Sequence, residues 1–267
     1  MPILTAQEHA RNRDLLTAID AEAGGAYERL DEAPDEVEWK FLEGEADLAL
    51  TSPLVYAKRE GDLALLSGPC VAATGATDEI ILQFNTGLRR IDTVGYYGEP
   101  GLETMLTEII LKEKYGMHAR FFPMKREPDS ALAAVDAVLF VPGQSQRPDG
   151  TSTALDMIDE WFDMTQLPFV REVLIGWEAR MDRTIDDAMR RAGQAVDAQA
   201  LESIDEQMRG KGTETGRESI PAHYRYQFTP DAQEGLQSFF HMAFYHGLHR
   251  DIPNFTFWEP EKEKEAE

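Results

Sequence analysis

Short apolar runs alternate with amphipathic segments along most of the chain, and polar or glycine-containing sequence follows each run. The run at 48–50 shows the arrangement, because a segment with helical spacing at 35–42 precedes it and Thr51-Ser52-Pro53 follows it. A few residues, apolar throughout and with polar residues only at the carboxyl end, are typical of a buried parallel strand. We therefore predict a strand at 48–50, followed by a helix that Ser52 caps and Pro53 begins.

The same criteria predict the other elements. Strands are expected at 3–5, 27–30, 63–73, 79–85, 93–97, 119–122, 137–141 and 169–177. Helices are expected at 7–23, 35–42, 102–115, 155–164, 184–192, 198–208 and 230–248. Strand–helix alternation in two groups, followed by helices, indicates an α/β protein with largely parallel sheets in two lobes. We expect one lobe to contain 1–75 and 178–267 and the other 76–177, with a ligand cleft between them and a helical C-terminal part.

Charge and hydropathy exclude several classes of partner. The chain carries 49 acidic and 26 basic residues, a net charge of −23, so its surface repels nucleic acid and anionic membranes. No run of about 18 apolar residues occurs, and no transmembrane helix is expected. The first residues lack the basic region and the long apolar stretch of a secretory signal, so we expect a cytoplasmic protein.

The acidic composition also bears on the solvent in which the protein works. Only eight of the basic residues are lysine, and acidic residues are spread along the whole chain. Salt screens such self-repulsion, because the Debye length falls to about 3 Å near 1 M. We therefore predict a salt-adapted, halophilic-type protein. An ordinarily acidic bacterial protein is the alternative.

Cysteine and histidine residues give no sign of a metal site. Cys70 is the single cysteine, which excludes an internal disulfide and a cysteine-clustered metal site, and its apolar surroundings favour a buried structural thiol. His241, His246 and His249 lack the carboxylate spacing of a familiar zinc motif and fit histidines near a helix carboxyl end. We expect neither a metal nor a cofactor.

Polar residues after the predicted strands are the candidate ligand contacts, because ligands of open α/β sheets lie beyond the carboxyl ends of strands. Ser52 is able to bind a ligand carboxylate or to serve as a helix cap alone. The turn 98–101 offers backbone N–H groups to an anion, whereas Glu99 and the missing donor of Pro100 oppose this. Gln144 and Ser145 follow the strand at 137–141 and are either ligand contacts or an ordinary polar turn.

Several segments together resemble the menaquinone-biosynthesis proteins of the futalosine pathway, a family that includes chorismate dehydratase. The resemblance covers about residues 40–258. It is carried by Glu43-Gly44-Glu45-Ala46-Asp47-Leu48-Ala49-Leu50, Tyr56-Ala57-Lys58-Arg59, Gln166-Leu167-Pro168-Phe169-Val170, Trp177-Glu178-Ala179-Arg180, Tyr224-Arg225-Tyr226, Gly235-Leu236-Gln237-Ser238-Phe239-Phe240 and His246-Gly247-Leu248.

The resemblance implies a type II periplasmic-binding-protein fold and a lyase that removes water from a carboxylated cyclohexadiene, chorismate, to give 3-enolpyruvyl-benzoate. It also implies that the substrate's own enolpyruvyl carboxylate acts as the base. The implied catalytic residues are Ser52 and Asn12, which is the nearest counterpart of the asparagine in the family's Ser-Tyr-Leu-Asn stretch. The implied substrate-binding residues are Thr51, Ser52, Tyr97, Gly98, Thr104, Gly143, Gln144 and Ser145.

Departures from the family pattern keep a second function open. The segment 9–12 reads His-Ala-Arg-Asn where the family has Ser-Tyr-Leu-Asn, and Glu99 lies in the second-lobe turn. These differences favour a cytosolic binding or sensor protein for small carboxylates that has the same fold without the catalysis. Either function predicts a small carboxylate ligand and a monomer or homodimer.

Overall fold

The computed structural model of the protein describes residues 1–125, 131–141, 153–208 and 224–259. Its strands are β1 (Ile3–Gln7), β2 (Glu28–Glu32), β3 (Leu48–Thr51), β4 (Leu63–Ala73), β5 (Ile81–Phe84), β6 (Thr93–Tyr96), β7 (Arg120–Pro123), β8 (Ala137–Phe140), β9 (Thr153–Asp156), β10 (Phe169–Trp177) and β11 (Tyr224–Gln227). Its helices are α1 (Ala10–Ala23), α2 (Pro34–Leu42), α3 (Pro53–Lys58), α4 (Leu102–Glu113), α5 (Met157–Thr165), α6 (Arg183–Met208) and α7 (Pro230–Tyr245).

The Cα atoms divide into two compact units. The first contains Met1–Ala72, Val170–Pro230 and the segment from Pro253, and the second contains Ala73–Phe169 and the segment 231–252. The sequence-based division ended the second lobe at residue 177 and assigned all of 178–267 to the first. In the structure β10 belongs to the first unit's sheet, and most of α7 belongs to the second unit.

The first unit is built on a six-stranded sheet in the order β11-β4-β10-β3-β1-β2. Strand β1 pairs in parallel with β2 and β3, whereas β10 runs antiparallel to β3. The three inner residues of β1 and all four of β3 are buried, as expected for strands covered on both faces. Helix α1 buries Leu15, Leu16 and Ile19 and packs against α6.

The second unit is built on a five-stranded sheet in the order β7-β6-β8-β5-β9. Strand β6 pairs in parallel with β7 and β8, whereas β5 runs antiparallel to β8 and β9. Edge-to-face ring contacts join Trp161 of α5 to Phe169 and to Phe239 of α7. The offset geometry of these rings adds to the hydrophobic stabilisation of the unit.

Most of the predicted elements are present, and three predictions are corrected. The helices expected at 184–192 and 198–208 are one continuous helix, α6, with Gly193 in its interior. Strands β9 and β11 were not predicted, and β9 takes up the start of the helix expected at 155–164. The sheets are mixed and not largely parallel. Among the described residues, no helix is both long and apolar enough to cross a lipid bilayer.

Candidate functional site

The carboxyl ends of β1 and β3 lie side by side at one edge of the first unit's sheet. The two strands are parallel, with Ala6 paired to Leu50, so the chain leaves both at the same edge. His9 caps α1 just after β1, and its Nδ1 accepts a hydrogen bond from Arg11 N at 3.3 Å. Ser52 caps α3 just after β3, and Pro53 is the first helical residue, as predicted. This edge therefore brings two helix starts together.

Ser52 retains a hydrogen-bond donor after it has capped α3. Its Oγ accepts a hydrogen bond from Leu54 N at 3.3 Å, and the side chain is partly buried. A hydroxyl group has one proton to donate in addition to its acceptor lone pairs. Within the described part of the chain, no acceptor is found for that proton. The preceding Thr51 is 7% exposed and pairs with Val173 of β10.

Asn12 is fully buried, and hydrogen bonds fix the orientation of its amide. Its Nδ2 donates to Glu172 Oε2 at 2.8 Å and to the backbone oxygen of Gln7 at 3.2 Å. Because both acceptors lie on the Nδ2 side, the reverse orientation of the amide would set oxygen against oxygen. Asn12 Oδ1 is left without a hydrogen-bond partner among the described residues. Such an orphaned buried acceptor is costly, and a ligand hydroxyl would satisfy it.

Glu172 joins Asn12 to a buried ion pair. Its Oε1 accepts from Arg11 Nε at 3.0 Å and from Arg11 Nη2 at 2.5 Å, and the two side chains are only 7% and 6% exposed. Arg11 Nη2 also donates to Gln7 Oε1 at 3.0 Å. Tyr226 of β11 donates its hydroxyl proton to the backbone oxygen of Arg11 at 2.8 Å. The charges of Arg11 and Glu172 therefore compensate each other beneath the start of α1.

Sequence reasoning did not identify Glu172 and Gln7 as parts of this site. A signal existed in β10, where Arg171 and Glu172 are adjacent charged residues within an otherwise apolar nine-residue strand. Charged residues in a buried strand need partners close by. The partners themselves could not be read from the sequence, because Asn12 and Glu172 are 160 positions apart.

The predicted contacts in the second unit are engaged in local structure. Tyr97 packs against a core cluster that includes Phe140, at a ring-centroid distance of 6.1 Å. Gly98 has a φ of +73°, a conformation that favours glycine. Thr104 Oγ1 donates to Gly101 O at 2.8 Å and accepts from Gly101 N at 3.0 Å, so it closes the first turn of α4. Gly143, Gln144 and Ser145 lie outside the described residues.

The cysteine and histidine side chains have structural surroundings. Burial raises the pKa of the Cys70 thiol, which favours its unreactive neutral form. His246 Nε2 lies 2.6 Å from Glu113 Oε1, and His249 Nδ1 lies 2.6 Å from the backbone oxygen of Asp251. Within the described ranges, no group of three or more histidine, cysteine or acidic residues has the arrangement of a metal site.

Neither Ser52 nor Asn12 is among the residues that line two cavities of the first unit. One of about 240 Å³ is lined by Glu8, His9, Ala10, Arg13, Leu16, Thr17, Arg29 and Asp31. Its lining comes from the segment before α1, from α1 itself and from β2. The other, of about 710 Å³, is lined by Gly61, Asp62, Glu178, Ala179, Met181, Arg183, Trp258 and Glu259. It lies near the carboxyl end of β10. Because β10 runs antiparallel to β3, this is the amino end of β3, opposite to the end that Ser52 follows.

Two of the segments that carry the family resemblance meet at that opposite edge. Asp47 Oδ2 accepts from Ile3 N at 2.9 Å, and Asp47 Oδ1 lies 3.1 Å from Arg180 Nη1. The Arg180 guanidinium lies 5.9 Å from the ring centroid of Trp177, which stacks on Phe41. Asp47 therefore has a structural role, and these segments stabilise the fold at the edge away from the candidate site.

Comparison with known proteins identifies a family. The model of a family described as menaquinone biosynthesis matches residues 14–245 of the chain. No curated protein matches the chain.

Solved structures identify the fold. A protein from Archaeoglobus fulgidus is 17% identical, with a TM-score of 0.62 over 92% of this chain and 98% of that one. A Candida albicans protein described as having the generic periplasmic binding protein fold is 11% identical, with a TM-score of 0.60 over 99% of each chain. The alkanesulfonate-binding protein SsuA of Xanthomonas axonopodis, bound to MOPS, is 14% identical, with a TM-score of 0.51 over 95% of this chain and 94% of that one. These similarities establish a periplasmic-binding-protein-like fold.

Proposed function

The chain belongs to the menaquinone biosynthesis family, and we propose that it is a chorismate dehydratase-like lyase that converts chorismate to 3-enolpyruvyl-benzoate and water. The observation that carries the proposal is that Ser52 and Asn12 follow the parallel strands β3 and β1, which end at the same edge of the first unit's sheet. One offers a hydroxyl proton, and the other offers a buried acceptor without a partner. A substrate with both a carboxylate and a hydroxyl group matches that pair.

The reaction needs little chemistry from the protein. A ring C–H bond and the neighbouring C–OH bond break, the electron pair left by the proton completes an aromatic ring, and proton and hydroxide leave as water. The resemblance implies that the substrate's enolpyruvyl carboxylate takes the proton and passes it to the departing hydroxyl group. Positioning is then the protein's main contribution to the rate.

Each residue has a separate role in this proposal. Ser52 donates its hydroxyl proton to a substrate carboxylate. Further contacts with the substrate come from Thr51 and from the residues that follow β8, namely Gly143, Gln144 and Ser145. Asn12 Oδ1 accepts the hydrogen of the departing hydroxyl group and so turns the lone pairs of that oxygen toward the incoming proton. In the second unit, Tyr97, Gly98 and Thr104 are proposed as further binding residues.

One observation favours the alternative, a small-carboxylate binding or sensor protein without catalysis. Asn12 is 0% exposed, so a ligand reaches Oδ1 only when the groups that cover it move. If they do not move, Ser52 still binds a carboxylate, but the hydroxyl group of the substrate has no acceptor. The same site then binds the ligand and leaves it unchanged.

Incubation of the purified protein with chorismate separates the two functions. We expect an aromatic product with the ultraviolet absorbance and proton NMR spectrum of 3-enolpyruvyl-benzoate, and calorimetry measures binding of chorismate in parallel. Binding without product would replace the lyase by the binding protein. The absence of both product and binding would overturn both functions.

A further inference from the structure

We propose that Glu172 is a positioning residue, which orients the Asn12 amide so that Oδ1 is left to accept a hydrogen bond from the ligand. The inference rests on the proposed function, because it assigns Glu172 a role in the same reaction. Glu172 does not touch the substrate in this proposal. It acts through Asn12, with which it shares a hydrogen bond of 2.8 Å.

The groups around Asn12 select one of the two orientations of its amide. Asn12 Nδ2 faces a carboxylate oxygen of Glu172 and the backbone oxygen of Gln7, at 2.8 and 3.2 Å. A backbone oxygen accepts a hydrogen bond whatever side chain is attached to its residue, but the carboxylate is present only because residue 172 is glutamate. The charged acceptor makes the stronger bond of the two. The side chain of Glu172 therefore decides where Oδ1 lies.

Arg11 holds both residues that accept from the Asn12 amide. Its guanidinium binds Glu172 Oε1 through Nε and Nη2, at 3.0 and 2.5 Å, and Gln7 Oε1 through Nη2, at 3.0 Å. The acceptors of the Asn12 amide belong to these same two residues. Arg11 thus fixes the loop at the end of β1 and the carboxylate on β10 relative to each other.

The hydrogen bond between Asn12 and Glu172 crosses the carboxyl end of strand β3. Strand β3 lies between β1 and β10, and its last residue, Thr51, pairs with Val173. A hydrogen bond from the start of α1 to Glu172 therefore spans the carboxyl end of β3, where Ser52 follows. The network therefore holds Asn12 in a fixed position relative to the strand end that Ser52 follows.

A contribution to stability alone does not explain the buried ion pair of Arg11 and Glu172. Charges as buried as those of Arg11 and Glu172 lose their hydration, and apolar replacements of similar volume are often as stable or more so. An oriented pair of acceptors is something that apolar side chains cannot replace.

Two double variants test the proposal. Both remove the buried ion pair, and they avoid the single Glu172→Ala change, which leaves the charge of Arg11 uncompensated. Arg11→Gln with Glu172→Gln keeps an amide oxygen that is able to accept from Asn12. Arg11→Met with Glu172→Leu keeps the volume and removes the acceptor. Asp186→Asn with Arg190→Gln is the control for loss of an ion pair, because both residues lie on α6 and the buried Asp186 carboxylate pairs with Arg190 at 2.5 Å.

The readouts are kcat and KM with chorismate, together with the side-chain amide resonances of Asn12 in nitrogen-15 NMR spectra. We expect the Met/Leu variant to lose about 100-fold in kcat, as for a misplaced catalytic group, with KM within about threefold of the parent value. We expect the Asn12 NH2 resonances to move strongly in this variant. The Gln/Gln variant is expected to have a kcat at least about tenfold above the Met/Leu variant, and the control to have the parent kcat.

Each other outcome has a defined meaning. Equal kcat values for the two double variants, or unchanged Asn12 resonances in the Met/Leu variant, would overturn the positioning role. An equal loss in the control would assign the effect to general weakening of the unit and would also overturn it. If the parent protein does not turn over chorismate, the proposed function fails, and the Asn12 resonances still decide whether Glu172 orients the amide.

Discussion

Ser52 caps a helix and also presents a hydroxyl proton, and substitution separates the two properties. Ser52→Ala removes both and is expected to cost about 1 kcal/mol of unfolding free energy, in addition to a loss in kcat/KM of about tenfold or more. Ser52→Asp keeps a good cap acceptor but sets a negative charge against a carboxylate, so we expect near-parent stability without ligand binding. Urea denaturation and calorimetry with chorismate measure the two effects. Parent-like binding by Ser52→Asp would contradict a carboxylate contact at this residue.

Asp156 accepts four backbone hydrogen bonds in the second unit. Its Oδ2 accepts from Thr77 N and Asp78 N at 2.7 and 2.6 Å, and its Oδ1 accepts from Ile158 N and Asp159 N at 2.9 and 3.2 Å. Asp156→Ala leaves these donors without their acceptor and is expected to lower the unfolding free energy by about 2–3 kcal/mol.

The control for Asp156 is Asp159→Ala, an exposed acidic residue in the same turn of α5. Its expected cost is about 0.5 kcal/mol, because it interacts with the helix start through its charge alone. Urea denaturation measures both variants. Similar losses would show that the charge near the helix start, and not the four hydrogen bonds, makes Asp156 important.

At this scale the sequence predicts residues whose roles are local. The cap at Ser52 follows from three consecutive residues, and the structure confirms it. The partners of Asn12 do not follow from neighbouring residues, because they require β10 to lie beside β3. That placement depends on tertiary packing, which no local pattern encodes.

At the scale of elements, α6 approaches β4 and β11 closely at two glycines. An added Cβ at Gly68 would lie 2.4 Å from Arg190 Cα, and one at Gly193 would lie 3.0 Å from the backbone oxygen of Tyr226. The sequence predicts two helices, at 184–192 and 198–208, and Gly193 directly follows the first of them. In the structure Gly193 lies inside one continuous helix, and the absence of a side chain there allows the helix to pack closely on the strands. A glycine in a sequence therefore indicates either the end of a helix or a close contact within one, and the sequence alone does not distinguish the two.

Gly68→Ala tests this contact. The clash is with backbone atoms of α6, which no change of rotamer relieves, so we expect a loss of about 2–3 kcal/mol in unfolding free energy. Ser67→Ala, at the exposed neighbouring position of β4, is the control and is expected to change stability by less than about 0.5 kcal/mol. Thermal and urea unfolding measure both. A Gly68→Ala protein as stable as the control would mean that α6 shifts away without cost.

Strand β9 shows why a short element escaped prediction. Its four residues run directly into α5, and Leu155 fits the apolar spacing of that helix. Asp156, with Asp159 three positions later, is an N-terminal helix signal that would have set the boundary correctly. Strand β11 alternates buried tyrosines with partly exposed residues, and it is too short to outweigh the helices predicted on either side.

For the whole molecule, the net charge of −23 predicts a particular response to salt. Repulsion between like charges falls as the Debye length shrinks from about 10 Å at 0.1 M to about 3 Å at 1 M. We expect the midpoint of thermal unfolding to rise steeply in potassium chloride up to about 0.5 M and then to level off.

Sucrose is the control for the salt prediction, because it stabilises by exclusion from the protein surface without screening charge. A rise that continues linearly beyond 1 M in both solutes would indicate exclusion from the surface and not screening. A midpoint that does not change with salt would support the ordinarily acidic protein and count against salt adaptation.

The order of strands in the first unit has a consequence for synthesis of the chain. Strand β4 lies between β10 and β11, and both of those are made after the second unit's sheet. Until the ribosome has added about a hundred further residues, β4 has neither of its partners and β3 lacks one of its two. Unpaired strand edges in a nascent chain are sites of aggregation. The sheet of the first unit is therefore completed after the sheet of the second, and a chaperone that shields β3 and β4 during translation would raise the yield of folded protein.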